Sequence, residues 1–464
     1  MTVTKGGDRL SAPVKNMTEG RPVSLLVRFA LPLMVGNVFQ QLYTVVDTMV
    51  VGKGLGVAAL AALGATDWVN WMMLGIIQGL TQGFGILMAQ EFGARAYDRL
   101  RTVVGSSVTL SVICAAVLLI LGQLLAKPAL VLLQTPEEIM GNALLYLRLM
   151  YAGAPIVMAF NLLAGILRSL GDGKTPLYAM IVSSFVNIAL DLLFVLVFHW
   201  GIAGAAIATL IAQTCSAVYC YLQIRKIEIL RLSRENFKVS AALTKRLFLL
   251  GLPMALQNAI ISIGGMIIQS VANGFGVLFM AGFTATNKLY GVLEIAATSY
   301  GYAMITYVGQ NLGAGKTERI RRGMTAANAV AVWTSLVIAA VMFIFGRAIV
   351  GMFISGTPQE VAEAVDVGYL YLQVMSGCLP VLYILHVVRS AVQGMGDTVL
   401  PMVSGIAEFI MRAGSVFLLT ALMGPTGIFI AEVLAWLGAD MILIPSYLIT
   451  IRKVEKRLKK GEPL

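Results

Sequence analysis

Apolar residues in this chain come in long unbroken blocks, without the short alternations of a soluble core. Charge-free runs extend from Phe29 to Val46, Trp68 to Gln90, Thr102 to Ala126, Leu192 to Gln223, Leu247 to Asn287 and Gly323 to Phe345. A helix needs about 20 predominantly apolar residues to cross a bilayer core, and the longest runs hold two helices separated by a Gly-rich turn. The pattern predicts 12 spanning helices, near 25–51, 60–90, 102–125, 138–164, 175–199, 201–224, 247–273, 283–311, 324–346, 365–390, 399–422 and 426–451.

Composition agrees. Of 464 residues 58% are hydrophobic and 12% charged, against about 25% charged in an ordinary soluble chain. A mean hydropathy of +0.84 leaves no room for a large soluble domain. Lys5, Asp8, Arg9, Lys15, Glu19 and Arg21 precede the first apolar run, which starts too far in for a cleaved leader, so the first helix is expected to stay as an anchor. Cys114, Cys215, Cys220 and Cys378 all fall in apolar runs with no CxxC pair, and His199 and His386 stand far apart. No metal site and no cofactor are expected from these spacings. Without an HExxH motif or a Ser/His pair, an enzyme is not expected either.

The net charge of +11 is not spread evenly. One set of loops holds Arg95, Arg99, Arg101, Arg168, Lys174, the basic residues from Arg225 to Arg246, Lys316 to Arg322, and the tail from Arg452 to Lys460; the other set holds little beyond Lys53, Lys127 and Arg347. This positive-inside pattern puts both termini in the cytoplasm of a multi-pass plasma (inner) membrane protein. The expected divisions are a cytoplasmic segment 1–24, a first bundle 25–224, a basic linker 225–246, a second bundle 247–451 and a basic tail 452–464. The tail's expected partner is anionic lipid, not nucleic acid, and the chain is expected to be a monomer.

The two halves resemble each other. Leu31-Pro32 and Asn37 match Leu252-Pro253 and Asn258; Gly54-Leu-Gly-Val57 matches Gly274-Phe-Gly-Val277; Gln90-Glu-Phe-Gly-Ala94 matches Gln310-Asn-Leu-Gly-Ala314; Pro155 and Gly171-Asp172 match Pro380 and Gly396-Asp397. The offset stays at 220 to 225 residues. Six helices per repeat return the chain to its starting side, so the repeats are parallel and related by an axis along the membrane normal. The expected fold is therefore an all-α integral membrane protein of two pseudo-symmetric six-helix bundles facing a central cleft.

A charge at bilayer depth costs about 2.5–3.5 kcal/mol even on the mildest scale, so intramembrane acids read first as functional. Asp47 follows Tyr43 by one turn, and Asp191 follows Asn187 by one turn; Thr209 lies one helix later. Convergence of these five would make a proton or Na⁺ site. The second half lacks both acids, with Ile268 and Ser415 at the matching places. It has Lys288, Glu294, Glu408, Arg412, Glu432 and Asp440 instead. Glu408 and Arg412, spaced i,i+4, read as a structural ion pair, whereas Glu432, at the place matching Thr209, and Glu294 read as candidates for lining a solute cavity. Gln40, Asn161 and Asn258 are further cavity candidates, with interhelical glue as the competing reading.

Several segments together resemble the multidrug and toxic compound extrusion (MATE) family: Leu31-Pro32, Gln41-Leu-Tyr43, Val46-Asp-Thr48, Gln90 to Ala94, Leu167-Arg-Ser-Leu-Gly-Asp172, Asn187 to Asp191, and Gly394-Met-Gly-Asp-Thr398. The resemblance implies alternating access between two bundles and export of cationic or amphipathic compounds in exchange for H⁺ or Na⁺. It implies that Tyr43, Asp47, Asn187, Asp191 and Thr209 bind the coupling ion and that Pro32 is where the first helix bends. The seventh helix has no acid between Leu247 and Asn273, which favours the DinF-like branch. A lipid-linked precursor flippase of the same superfamily is the alternative; a cavity rich in basic residues would suit it, and few basic residues, among them Arg148, Lys288 and Arg412, lie within spans here.

Overall fold

The computed structural model describes residues 14–238, 240–354 and 357–460, and these form fourteen α-helices and no strand. They are α1 (Pro22–Leu55), α2 (Val57–Gly93), α3 (Tyr97–Leu132), α4 (Glu137–Ala152), α5 (Ala154–Ser169), α6 (Lys174–Asp191), α7 (Gly201–Ile224), α8 (Ala241–Asn273), α9 (Val277–Gly313), α10 (Thr317–Gly351), α11 (Pro358–Gly377), α12 (Leu379–Gly394), α13 (Val399–Met423) and α14 (Thr426–Lys459).

Fourteen helices make twelve spans because two spans are broken. α4 and α5 meet at 46°, and α11 and α12 at 49°. Pro155 and Pro380 explain both breaks. Each stands in the first turn of the second helix of its pair, where proline lacks the N–H and its ring collides with the preceding turn. Pro32 behaves differently: α1 runs through it as one helix.

Two apolar cores follow the repeat, with an exchange at their edges. One is built from the end of α1, with Val50 and Val51, and from α2 to α7, but also takes Leu247, Leu250 and Ala255 from the start of α8. The other is built from α8 to α14 but also takes Leu25, Leu26, Phe29, Ala30 and Leu33 from the start of α1. The halves are further locked by α2 against α8, which run antiparallel. A Cβ at Gly79 would strike the backbone at Ala255, and one at Gly83 the backbone at Gly251. Small residues let the two backbones approach closely, as in other membrane helix pairs.

The face that carries the start of α1 and the end of α14 is sealed. Gly93 of α2 lies against the Gln310 carbonyl, and Gly313 of α9 against the Gln90 carbonyl. Residues 15–20 cross this junction as a strap. Lys15 N–H donates to the Leu170 carbonyl at 3.0 Å, and Met17 N–H donates to Gln310 Oε1 at 2.7 Å. Arg319 donates to the Met17 and Gly20 carbonyls, and Met17 is fully buried.

The segment expected at 1–24 therefore includes an ordered, packed portion; its residues 1–13, with Lys5, Asp8 and Arg9, lie outside the described residues, as do Val239 of the linker and 461–464 of the tail. The linker packs two short 3-10 turns, Glu228–Leu230 and Arg234–Phe237, beside α3, with Ile227 and Leu230 buried. The tail continues as helix to Lys459, and Glu455 accepts from Arg321 at 2.7 Å.

Candidate functional site: an acid pair in the first half

α1 and α6 lie side by side and carry the two acids. Asp47 is 8% exposed and Asp191 fully buried. Their carboxyl groups come within hydrogen-bonding reach of each other. Asp191 is the last residue of α6, and the chain continues directly into a π-helical turn, Leu192–Val197. Such turns loosen the backbone ladder and recur at functional sites. Asn187, one turn before Asp191, donates to Thr209 Oγ1 of α7 at 3.3 Å. Tyr43 lines a small pocket together with Gln40 and Gln213 of α7.

The oxygens left over define the chemistry. Asp47 Oδ1, both carboxylate oxygens of Asp191 and Asn187 Oδ1 are buried with no hydrogen-bond donor among the described residues. Ionised carboxylates only accept, and two of them in contact need a proton or a cation between them. The five residues expected from the sequence thus occupy one region of the first half.

Three neighbours escaped the sequence reading. Tyr146 of α4 lies within electrostatic reach of Asp47 and Asp191. Gln213 of α7 lines the same small pocket as Tyr43. Asp67 of α2 lies within electrostatic reach of both Asp47 and Lys288 of α9. The signal for Asp67 was available, since it is an acid inside a predicted span. It stands just before the charge-free run from Trp68 to Gln90. Tyr146 and Gln213 carry no comparable signal.

The second half places its ions differently. Arg389 of α12 donates to Glu408 of α13 at 2.7 Å, and Arg412 joins Glu408 and Glu432 at 3.0 Å each. The expected Glu408/Arg412 pair is present, inside a longer chain of alternating charge. Glu432, expected as cavity lining, is held by Arg412. Glu294 meets His386 at 3.3 Å. Asn258 donates to the Gly75 carbonyl at 2.8 Å and so bridges α8 to α2.

A polar cavity lies between α1, α2, α5, α7 and α9. Gln40 and Asn161 line it as expected, together with Asn37, Gln78, Gln213 and Arg168. Glu294, Glu432 and Asn258 are not among its lining residues. Arg168 corrects the sequence reading, which put it in a basic loop. α5 extends to Ser169, and Arg168 in its last turn is only 8% exposed.

The MatE family profile matches residues 32–193 and 253–418, once in each repeat. The chain belongs to this family, the MATE transporters. It is 28% identical over 417 residues to the probable multidrug resistance protein YpnP of Bacillus subtilis (strain 168), covering 89% of this chain and 92% of that one. It is 29% identical over 344 residues to the probable multidrug resistance protein YoeA of the same organism, covering 72% and 73%. An outward-facing multidrug resistance MATE family transporter of the MOP superfamily superposes with a TM-score of 0.87 at 23% identity, covering 95% of this chain and 98% of that one. The protein is thus a multi-pass membrane transporter of two six-helix lobes. Its family moves solutes and catalyses no covalent step.

Proposed function

We propose that this MATE transporter exports cationic or amphipathic organic compounds in exchange for H⁺, with Na⁺ as the other candidate ion, by alternating access. It works in the plasma (inner) membrane as a monomer with both termini cytoplasmic, and it is of the DinF-like kind, with its ion site in the first lobe. The observation that carries this reading is the approach of the Asp47 and Asp191 carboxyls to each other, where three of their own oxygens and Asn187 Oδ1 are buried with no donor among the described residues.

The coupling follows from the geometry. Asp47 is on α1 and Asp191 on α6, so a proton or cation between them ties the two helices together, and its release lets them repel. α1 also enters the second lobe's core through Leu25 to Leu33, so a shift of α1 reaches both lobes. Pro32 is the place on α1 where such a shift bends most cheaply, because its N–H bond is already missing. Ion and solute then bind with opposing preferences for the two states, which is a coupling free energy between sites.

The test is transport in liposomes. A fluorescent organic cation is followed under an imposed pH gradient and then under a Na⁺ gradient, with Asp47→Asn beside the wild type. Transport driven by pH and lost in the variant supports the reading. Na⁺-driven transport changes the ion and keeps the site. Fully coupled transport by Asp47→Asn sinks the site, and no transport under either gradient by folded protein sinks the substrate class.

A further inference from the structure

Three arginines are deeply buried within the lobes, and two of them have obvious reasons to be there. Arg389 and Arg412 are each held by Glu408, and Arg412 also by Glu432. Arg168 is as buried as they are, at 8% exposed. Among the described residues no carboxylate lies within ion-pair distance of it, and no side chain accepts from its guanidinium. Asp172, four residues on, directs Oδ1 to the backbone N–H groups of Lys174 and Thr175 instead.

What surrounds Arg168 softens the burial without cancelling the charge. Its guanidinium carbon lies 4.7 Å from the centre of the Tyr302 ring, an interaction worth up to about 2 kcal/mol when desolvated. It stands in the last turn of α5, where the helix dipole favours a cation. Both influences are dipolar or quadrupolar, and a buried arginine normally also has a counter-ion. The rest of its surroundings is the polar cavity, walled by the neutral amides of Asn37, Gln40, Gln78 and Gln213. The free space there suits a small polar group more than a whole drug-sized solute.

We propose that Arg168, with the amides around it, forms an anion subsite that takes the phosphate or carboxylate group of an amphipathic solute, the remainder of which lies in the cleft. The guanidinium fork is the side chain best shaped for such groups, which it binds through two parallel hydrogen bonds. The subsite is also placed at the junction of the lobes. Tyr302 and Thr306 belong to α9; Thr306 Oγ1 donates to the Arg168 carbonyl at 3.1 Å, and Gln82 Nε2 donates to the Tyr302 hydroxyl at 3.1 Å. An anion on Arg168 competes with the Tyr302 ring for the guanidinium, so its arrival weakens a contact between the lobes. This rests on the reading proposed above, that the two lobes carry an organic solute by alternating access. It extends the substrate class from cations to zwitterionic and anionic amphipaths.

The probe is a matched pair of fluorescent flavins, riboflavin and its 5′-phosphate, which differ by one phosphate group. Equilibrium binding is read by fluorescence anisotropy on the full-length protein in phosphatidylcholine nanodiscs, with no gradient, so failure of ion coupling leaves the result untouched. The phosphate is expected to tighten binding roughly 10- to 100-fold, the worth of a hydrogen bond to a charged group. Arg168→Gln is expected to abolish the preference, and Arg168→Lys to keep part of it. Gln78→Glu leaves Arg168 in place and supplies a carboxylate within the cavity; it is expected to abolish the preference too, so the test stands if Arg168→Gln does not fold. Adding phosphatidylglycerol to the discs separates the sources: unchanged flavin phosphate binding assigns the subsite to solutes, and displacement assigns it to a lipid headgroup phosphate. Equal affinity for both flavins in the wild type, or a preference that survives in folded Arg168→Gln or in Gln78→Glu, overturns the proposal.

Discussion

Gln90 and Gln310 occupy equivalent places in the two repeats, and each side-chain amide donates to a backbone carbonyl of the opposite half. Gln90 reaches Gly394 at 3.2 Å, and Gln310 reaches Ser169 at 2.8 Å. The acceptors are related by the same repeat. One pseudo-twofold pair of bonds thus closes the face that carries the start of α1 and the end of α14, and Met17 N–H adds a third bond to the free oxygen of Gln310.

Removing either amide should loosen this face, and Gln310 should matter more because both ends of its amide are used. Gln310→Ala forfeits two buried bonds, at about 1 kcal/mol each. Hydrogen exchange of the amides at residues 15–20 and 168–171 is expected to speed up roughly 10-fold or more in Gln310→Ala, and less in Gln90→Ala. Unchanged exchange in Gln310→Ala would show that the bonds from Asn311, Lys316 and Arg319 and that of Lys15 to Leu170 hold the strap without it.

Gly313 of α9 packs against α2 with no room for a Cβ beside the Gln90 carbonyl. Gly313→Ala is therefore expected to hold this face apart. A spin-label distance across that face should lengthen and its closed population fall. Retention of the wild-type distance distribution would mean that the backbone gives way locally instead.

Glu408 neutralises two arginines at once. Glu408→Ala leaves Arg389 and Arg412 buried beside a single remaining partner, Glu432. Breaking a buried pair in this way costs about 3–5 kcal/mol, so a large fall in the thermal midpoint in detergent is expected. Glu432→Gln removes only one of Arg412's two partners and should cost less. Equal losses would argue against Glu408 as the hub.

Asp191→Asn leaves one carboxyl where two now meet. Ion-driven transport is expected to be lost while solute binding without a gradient persists. Thr209→Val is gentler. It strips Asn187 of its acceptor, so coupling should weaken without disappearing. Loss of solute binding in Asp191→Asn would place the acid pair in the solute site itself.

Asp172 lies in the turn between α5 and α6, and burial pushes its carboxyl above the ordinary value of 3.8 even though it accepts two backbone N–H groups. The folded chain then holds this proton more tightly than the unfolded chain. Its contribution to stability falls as pH rises from 3.8 through the raised value. Asp172→Asn keeps the acceptor and should flatten that part of the stability–pH curve relative to wild type. Asp172→Ala loses the acceptor and should cost about 1 kcal/mol.

Much of this protein is legible without coordinates, because a bilayer makes errors of polarity expensive. Twelve spans follow from apolar runs of bilayer length, the parallel repeat from a constant offset, and the acids Asp47 and Asp191 from their rarity. Even Pro155 and Pro380, which break the fourth and tenth spans, are visible as a repeat-related pair. What the one-dimensional pattern lacks is rotation and crossing. Whether Asp47 meets Asp191, 144 positions away, depends on how α1 and α6 turn against each other. Whether Glu432 meets Arg412 and Glu294 meets His386 depends on which faces of α9, α12, α13 and α14 converge. Arg168 reads as a loop cation until α5 is seen to run one turn further and roll it inward under Tyr302. Residues 15–20 read as part of a cytoplasmic segment until Gln310 and Arg319 are placed beneath them. Hydrophobicity and spacing are properties of each helix alone and can be summed along the chain. Partner choice is a property of pairs of helices, decided by a few small residues at their crossings, and only the tertiary structure decides it.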